Sequence, residues 1–162
     1  MSDFFDCIRE LNTWTMLLRM FVAVLFGGLI GLNREQKKMP AGIRTYALVC
    51  LGACLTALLA VYDSNNLALV FGESVKTDVS RFSAQVINGI GFLGAGTIIL
   101  TDERIRGVTT AACLWSSACM GIAIGYGFYE CAIAGFIIIF LIIKVLPFWQ
   151  RKLRSIAEGE KR

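Results

Sequence analysis

The chain of 162 residues is long enough for one domain, but at 56% hydrophobic with a mean hydropathy of +0.66 it is too apolar for an ordinary soluble one. Six cysteines and no histidine do not read as a disulfide framework or a zinc centre. No two cysteines form a C-x-x-C pair, and Cys50, Cys54, Cys113, Cys119 and Cys131 lie in or at the ends of apolar blocks, where cysteine behaves as a small hydrophobe.

Residues 1–13 are too polar to span a bilayer and lack the basic, apolar, small-residue order of a cleaved signal. Phe4, Ile8 and Leu11 keep helical spacing, which reads either as a short amphipathic helix on the membrane surface or as a frayed terminus. The first span is 14–32, with Arg19 near enough to its outer end to snorkel and with Gly27 and Gly31 as a G-x-x-x-G pair. The polar segment NREQKKMPAG leads to a second span, 43–62. In the polar stretch 63–83, Val75, Val79 and Phe82 keep helical spacing and predict an interfacial lead-in to the third span, 84–100. The turn TDERIRG precedes a fourth span, 108–126, which carries Gly121 and Gly125 as a second G-x-x-x-G. The fifth, 129–148, contains FIIIFLII and reads as peripheral and lipid-facing. Each span approaches the roughly 20 residues that cross about 30 Å of hydrocarbon. The expected division is an interfacial segment 1–13, a five-helix transmembrane domain 14–148 and a basic cytoplasmic tail 149–162. The fold class is therefore an all-α membrane bundle.

The third span sets the expected architecture. Gly89, Gly91, Gly94 and Gly96 sit within QVINGIGFLGAG, although glycine inside a helix costs about 0.5–1 kcal/mol relative to alanine. At about 100° per residue Gly89 and Gly96 share one side and Gly91 and Gly94 roughly the other. Small residues let helix backbones approach in lipid, so this helix is expected to be the centre that its neighbours grip on two sides.

Orientation follows from the basic residues. Twelve of the 16 lysines and arginines fall in 33–44, in 101–107 and from Lys144 onward, on one side of the predicted bundle. That side is expected to be cytoplasmic, with the N-terminus outside and the C-terminus inside. The net charge of +4 is then explained by topology and anionic headgroups, and no nucleic-acid partner is needed.

No charged residue lies near the middle of a span, which argues against an ion-coupled pump. There is no phosphate-binding G-x-x-x-x-G-K-[ST] loop, and GIGFLGAG lies inside an apolar span rather than between a strand and a helix. Charged groups gather instead at the predicted cytoplasmic ends: Arg34 and Glu35, Arg44, then Asp102, Glu103, Arg104 and Arg106, with Thr109 and Thr110 opening the fourth span. They read either as one polar cluster that binds a headgroup, an ion or a partner, or as topology residues with solvated ion pairs worth about 0–1 kcal/mol. Gln85 and Asn88, one turn apart near the outer end of the glycine helix, must find hydrogen bonds in lipid. They read as interhelical glue or as the lining of a hydrated cavity. Trp115, Ser116 and Ser117 read as packing first and pathway second.

GGLIGLNRE (27–35), GIRT (42–45), AQVINGIGFLGAG (84–96) and RGVTTAACLW (106–115) together resemble the MgtC/SapB family of bacterial inner-membrane proteins. The resemblance implies a multi-helix cytoplasmic-membrane protein without enzymatic activity or cofactor, linked to growth or survival under magnesium limitation. For some relatives it implies a role in intracellular virulence, with the F-type ATP synthase as a partner. It marks Arg34, Glu35, Arg44, Thr45, Gln85, Asn88, Thr109, Thr110 and Trp115 as functional candidates beside the glycines. Many relatives add a soluble ACT-like domain after the last helix, and this sequence, ending in a basic tail, reads as a short form without it. Two functions are expected: a regulator or adaptor that packs against itself or another membrane protein, or a magnesium or small-solute pathway lined by Gln85 and Asn88. Hydrated divalent ions prefer carboxylates, which the spans do not offer, so the first is favoured. Membrane lipids and a homodimer are the other expected associations.

Overall fold

Asn12 opens the first helix through a reciprocal cap. Its side-chain oxygen accepts from Thr13 N (2.8 Å), and its own N–H donates to Thr15 Oγ1 (2.9 Å). In this computed structural model residues 12–71, 78–101 and 104–159 are described, so the expected amphipathic segment at Phe4, Ile8 and Leu11 lies outside the described residues, as do Val75, Asp102 and Glu103. The elements are α1 (Thr13–Gln36), α2 (Ile43–Phe71), α3 (Ser80–Gly96), β1 (Ile99–Thr101), β2 (Arg104–Arg106), α4 (Val108–Gly125) and α5 (Tyr129–Gly159). Among the described residues four helical stretches are long and apolar enough to cross a membrane: Thr13–Gln36, Ile43–Leu67, Val108–Gly125 and Tyr129–Pro147.

The hub of the bundle is α2, not the glycine-rich helix. A Cβ on Gly27 would come within 2.5 Å of the Tyr46 carbonyl oxygen, and one on Gly31 within 2.7 Å of Ile43 Cα. From the other side, Gly121 abuts the Cys50 carbonyl, and a Cβ on Gly125 would meet Ala57 Cβ and the Cys54 carbonyl, each at 2.6 Å. Both G-x-x-x-G pairs thus close on α2. It answers with its own small residues, as Cys50, Ala53, Cys54, Ala57 and Ala60 are all buried. Cys50, Cys54, Cys113, Cys119 and Cys131 are free thiols.

The expectation that α3 is gripped on two sides is corrected. Only Ile90 and Gly94 of α3 are buried, and a Cβ added on Gly94 would stand at an ordinary 3.4 Å from Ala111 Cβ. A Cβ at Gly89, Gly91 or Gly96 would meet nothing within 4 Å. The reason is that α3 joins the bundle by one face alone, packing mainly on α4 and less on α2. It nevertheless runs the height of α4. At one end Ser83 Oγ lies 2.6 Å from Tyr126 Oη, which donates to the Val79 carbonyl at 2.9 Å; at the other Gly94 meets Ala111.

Three further boundaries differ from expectation. The third helix stops at Gly96 rather than continuing to Leu100, because Thr97 turns back on it: its N–H and Oγ1 both donate to the Gly94 carbonyl, at 3.0 and 2.8 Å. The segments Ile99–Thr101 and Arg104–Arg106 that follow pair as an antiparallel hairpin, Ile99 opposite Arg106 and Thr101 opposite Arg104, where only a polar turn was expected. Gly107, at φ +94°, leads from the hairpin into α4 against the Thr97 carbonyl, where no Cβ fits. Finally, α2 extends through Asp63 to Phe71, and α5 passes through Pro147 to Gly159.

Candidate functional site

Two arginines on α1 are buried, one near each end. Arg19 is 1% exposed and Arg34 4%. They stand about four turns, or roughly 22 Å, apart along the helix, and they meet the two ends of the antiparallel α4. Arg19 Nη1 donates to the Gly125 carbonyl (2.8 Å) in the last turn of α4, and Nε donates to Tyr129 Oη (3.1 Å). Unsatisfied carbonyls and the negative end of the helix dipole make this a favourable place for a cation. Gly127 beside it, at φ +80°, leaves room for the guanidinium, since a Cβ there would sit 3.1 Å from Arg19 Nη2. The snorkelling expected for Arg19 is therefore corrected: the side chain turns inward because these partners are within the bundle.

At the other end, Arg34 Nη2 donates to Thr110 Oγ1 at 2.9 Å. The Tyr46 hydroxyl donates to the Thr110 carbonyl at 3.4 Å, so Thr110 joins α1, α2 and α4 through both its side chain and its backbone. Arg34 Nε is buried without a hydrogen-bond partner. The neighbouring Glu35 acts locally, its Oε2 accepting from Ile43 N (2.9 Å) and so capping the start of α2 across the connecting loop. Gly42 permits this, since a Cβ there would lie 2.5 Å from the same oxygen. Lys37 Nζ donates to the Ile143 carbonyl at 3.2 Å. That carbonyl is free because Pro147, four residues on, has no N–H to offer it. The proline thus creates the acceptor that holds Lys37 against α5.

Arg34, Lys37 and Thr109 line one cavity together with Ser116 and the aliphatic face of α5. Of the expected cluster, Arg34 and Thr110 are joined directly and Thr109 stands beside them. Arg44 and Thr45 are exposed on the first turn of α2, and Arg104 and Arg106 are exposed on the hairpin. Gln85 and Asn88 are exposed on the same side of α3 as Gly89, Phe92 and Gly96, opposite the buried Ile90 and Gly94. Neither amide has a hydrogen bond among the described residues. Trp115 is 45% exposed on α4, while Ser117 is buried and donates to the Tyr46 carbonyl at 3.5 Å. Tyr46, Lys37 and Pro147 are not among the candidates that the sequence marks: Lys37 counts there only toward orientation and Pro147 only toward the end of the fifth span. For Lys37 a signal existed in the proline inside an otherwise continuous apolar helix, which announces an unclaimed carbonyl one turn earlier.

Among the described residues no group of three or more His, Cys, Asp or Glu side chains is placed to hold a metal ion. What the Arg34 end offers is cationic, suited to anions rather than to a divalent metal.

The chain is 40% identical over 134 residues to an uncharacterised protein of Haemophilus influenzae, covering 82% of this chain and 56% of that one. It is 37% identical over 149 residues to the protein MgtC of Salmonella typhimurium, covering 90% and 60%. It is 35% identical over 133 residues to the Escherichia coli K12 protein named "Putative magnesium transporter YhiD", covering 82% and 61%. The chain thus spans 56 to 61% of the length of these relatives. No solved structure matches it. The sequence profile of the MgtC family matches residues 20–152, which takes in Arg34, the α2 hub and the whole of α3: the chain belongs to the MgtC family.

Proposed function

We propose that this protein is a non-catalytic membrane regulator or adaptor that serves adaptation to magnesium limitation, and that it acts by helix packing rather than by transport. It would sit in the bacterial cytoplasmic membrane with five crossings, α3 being the short one, the N-terminus outside and the Arg34 end inside. The height that α3 shares with α4, and the placement of most basic residues, support this arrangement.

One observation carries the reading. The free face of α3 gathers two amides, Gln85 and Asn88, glycines with open space before them, and Phe92 at 82% exposure. Amides facing hydrocarbon lack partners, and uncovered glycines leave a flat surface onto which another backbone can pack. A transmembrane helix from a second copy or from a partner protein supplies both needs at once. The bundle axis offers little for the competing reading of a magnesium or solute pathway. Its levels are filled by backbone contact at Gly31, Gly27, Gly121 and Gly125, and a buried arginine stands near each end.

Reconstitution of the purified chain into liposomes loaded with a magnesium-sensitive dye separates the two. The expected result is no flux above protein-free vesicles, together with cross-linking between cysteines introduced on the free face of α3 or to a co-purified partner. Sustained flux abolished by Asn88→Leu would replace the regulator with a pathway.

A further inference from the structure

At the Arg34 end, where Lys37 reaches from the end of α1 to the Ile143 carbonyl of α5, α1, α4 and α5 enclose a cavity of about 750 Å³, a size that accommodates a substantial ligand. Its two sides differ in chemistry. One presents the Arg34 guanidinium, the Lys37 ammonium and the Thr109 hydroxyl; the other is the aliphatic wall of Ile139, Ile142 and Leu146. Ile142 and Leu146 are half exposed on the outer surface of the bundle, so that wall is continuous with the face turned to lipid.

Arg34 is the second, independent observation. It is more than nine-tenths buried, its polar neighbours are the neutral hydroxyls of Thr110 and Tyr46, its Nε has no hydrogen-bond partner, and no acidic side chain among the described residues pairs with it. A buried charge left so incompletely compensated is costly. An anion beside it removes that cost, and a guanidinium and an ammonium in one cavity match the oxygens of a phosphate. Lys37 is already fixed there by the carbonyl that Pro147 frees.

We infer that this cavity binds an anionic phospholipid, with its phosphate against Arg34 and Lys37 and one acyl chain along Ile139, Ile142 and Leu146. The half-exposed aliphatic wall favours a lipid arriving from the bilayer over a soluble phosphate, which would use only the polar side. The inference does not depend on whether α3 recruits a partner.

The test is lipid retention by the full chain, measured by native mass spectrometry after purification from mixed phosphatidylglycerol and phosphatidylcholine, with inorganic phosphate as a competitor. Phosphatidylglycerol is expected to be retained over phosphatidylcholine. Arg34→Gln should lower that retention by tenfold or more and Lys37→Gln by a few-fold. Ala112→Leu, which fills the cavity and leaves both cations in place, should abolish retention, which guards against an unfolded Arg34 variant. Arg104→Gln, an exposed cation on the hairpin outside the cavity, should leave retention unchanged. Equal retention of both lipids, or equal loss in Arg104→Gln, would reduce the effect to general surface charge and overturn the inference. Displacement of the lipid by millimolar phosphate, with phosphate binding surviving in Ala112→Leu, would make the occupant a soluble anion and overturn it as well.

Discussion

Adding one methyl group at Gly121 and, separately, at Gly89 asks which helix the bundle is built around. At Gly121 the new Cβ would come within 3.0 Å of Ala53 Cβ and closer still to the Cys50 carbonyl oxygen. Ordinary contacts lie near 3.5–4 Å, so α4 and α2 must part by about an ångström where the Cys50 carbonyl stands. Overpacking of this kind costs about 1–3 kcal/mol, and the better helix propensity of alanine returns about 0.5–1 kcal/mol. The net expectation for Gly121→Ala is a loss of about 1–2 kcal/mol, roughly a five- to thirtyfold fall in the folding equilibrium. At Gly89 the same methyl meets nothing within 4 Å, so in the isolated chain only the propensity gain remains and Gly89→Ala should be neutral or slightly stabilising. Reversible unfolding in mixed detergent micelles, at protein concentrations too low for association, measures both. A destabilised Gly89→Ala beside an unaffected Gly121→Ala would refute the assignment of α2 as the hub. If Gly89→Ala is harmless in dilute micelles but weakens association in a bilayer, the free face of α3 is an interface.

Lys38 holds a left-handed backbone at φ 53° just after α1, so Lys38→Gly should stabilise the chain by about 1 kcal/mol in the same unfolding assay. Tyr129→Phe removes the acceptor of Arg19 Nε and should cost about 1–2 kcal/mol; no change would mean that the other partners of Arg19 hold it in place without the hydroxyl. Asp78 precedes α3, and the Ser80 hydroxyl and N–H that donate to its carboxylate hold its pKa below the usual value. Because the folded form binds its proton less readily, the stabilisation is present above about pH 4 and is lost as pH falls through the lowered value. The protection factors of the first-turn amides of α3, corrected for the intrinsic pH dependence of exchange, should fall on acidification in that range, and Asp78→Asn should remove that fall.

Much of the architecture was legible because it depends on local signals. Apolar blocks located four spans, and the paired glycines of α1 and α4 were recognised as contact points, since both patterns are written within a single helix. The hub was not legible in the same way. Glycine density drew attention to α3, whereas the partner of both G-x-x-x-G pairs is the less conspicuous ladder of Cys50, Ala53, Cys54 and Ala57 on α2. A small residue states that something can come close; it does not state what does. The same limit applies to charge. Arg19 and Arg34 looked like residues near membrane interfaces, and their burial depends on carbonyl and hydroxyl partners more than a hundred positions away for Arg19 and 76 for Arg34.

That division between what packs inward and what remains open gives the molecule its polarity of function. The side of α3 built from Ile90 and Gly94 is used by the chain itself, and the opposite side, with Gln85 and Asn88, is left for something else. At the Arg34 end the bundle likewise joins one donor of a buried cation to Thr110 and leaves its Nε unmet. In a bilayer neither an uncovered amide nor a half-compensated guanidinium is stable alone. Within the described chain the side chains of Gln85 and Asn88 make no hydrogen bond and that of Arg34 makes one, to Thr110. Under the two proposals, a neighbouring helix would meet the amides of α3 and an anion would meet the Arg34 guanidinium.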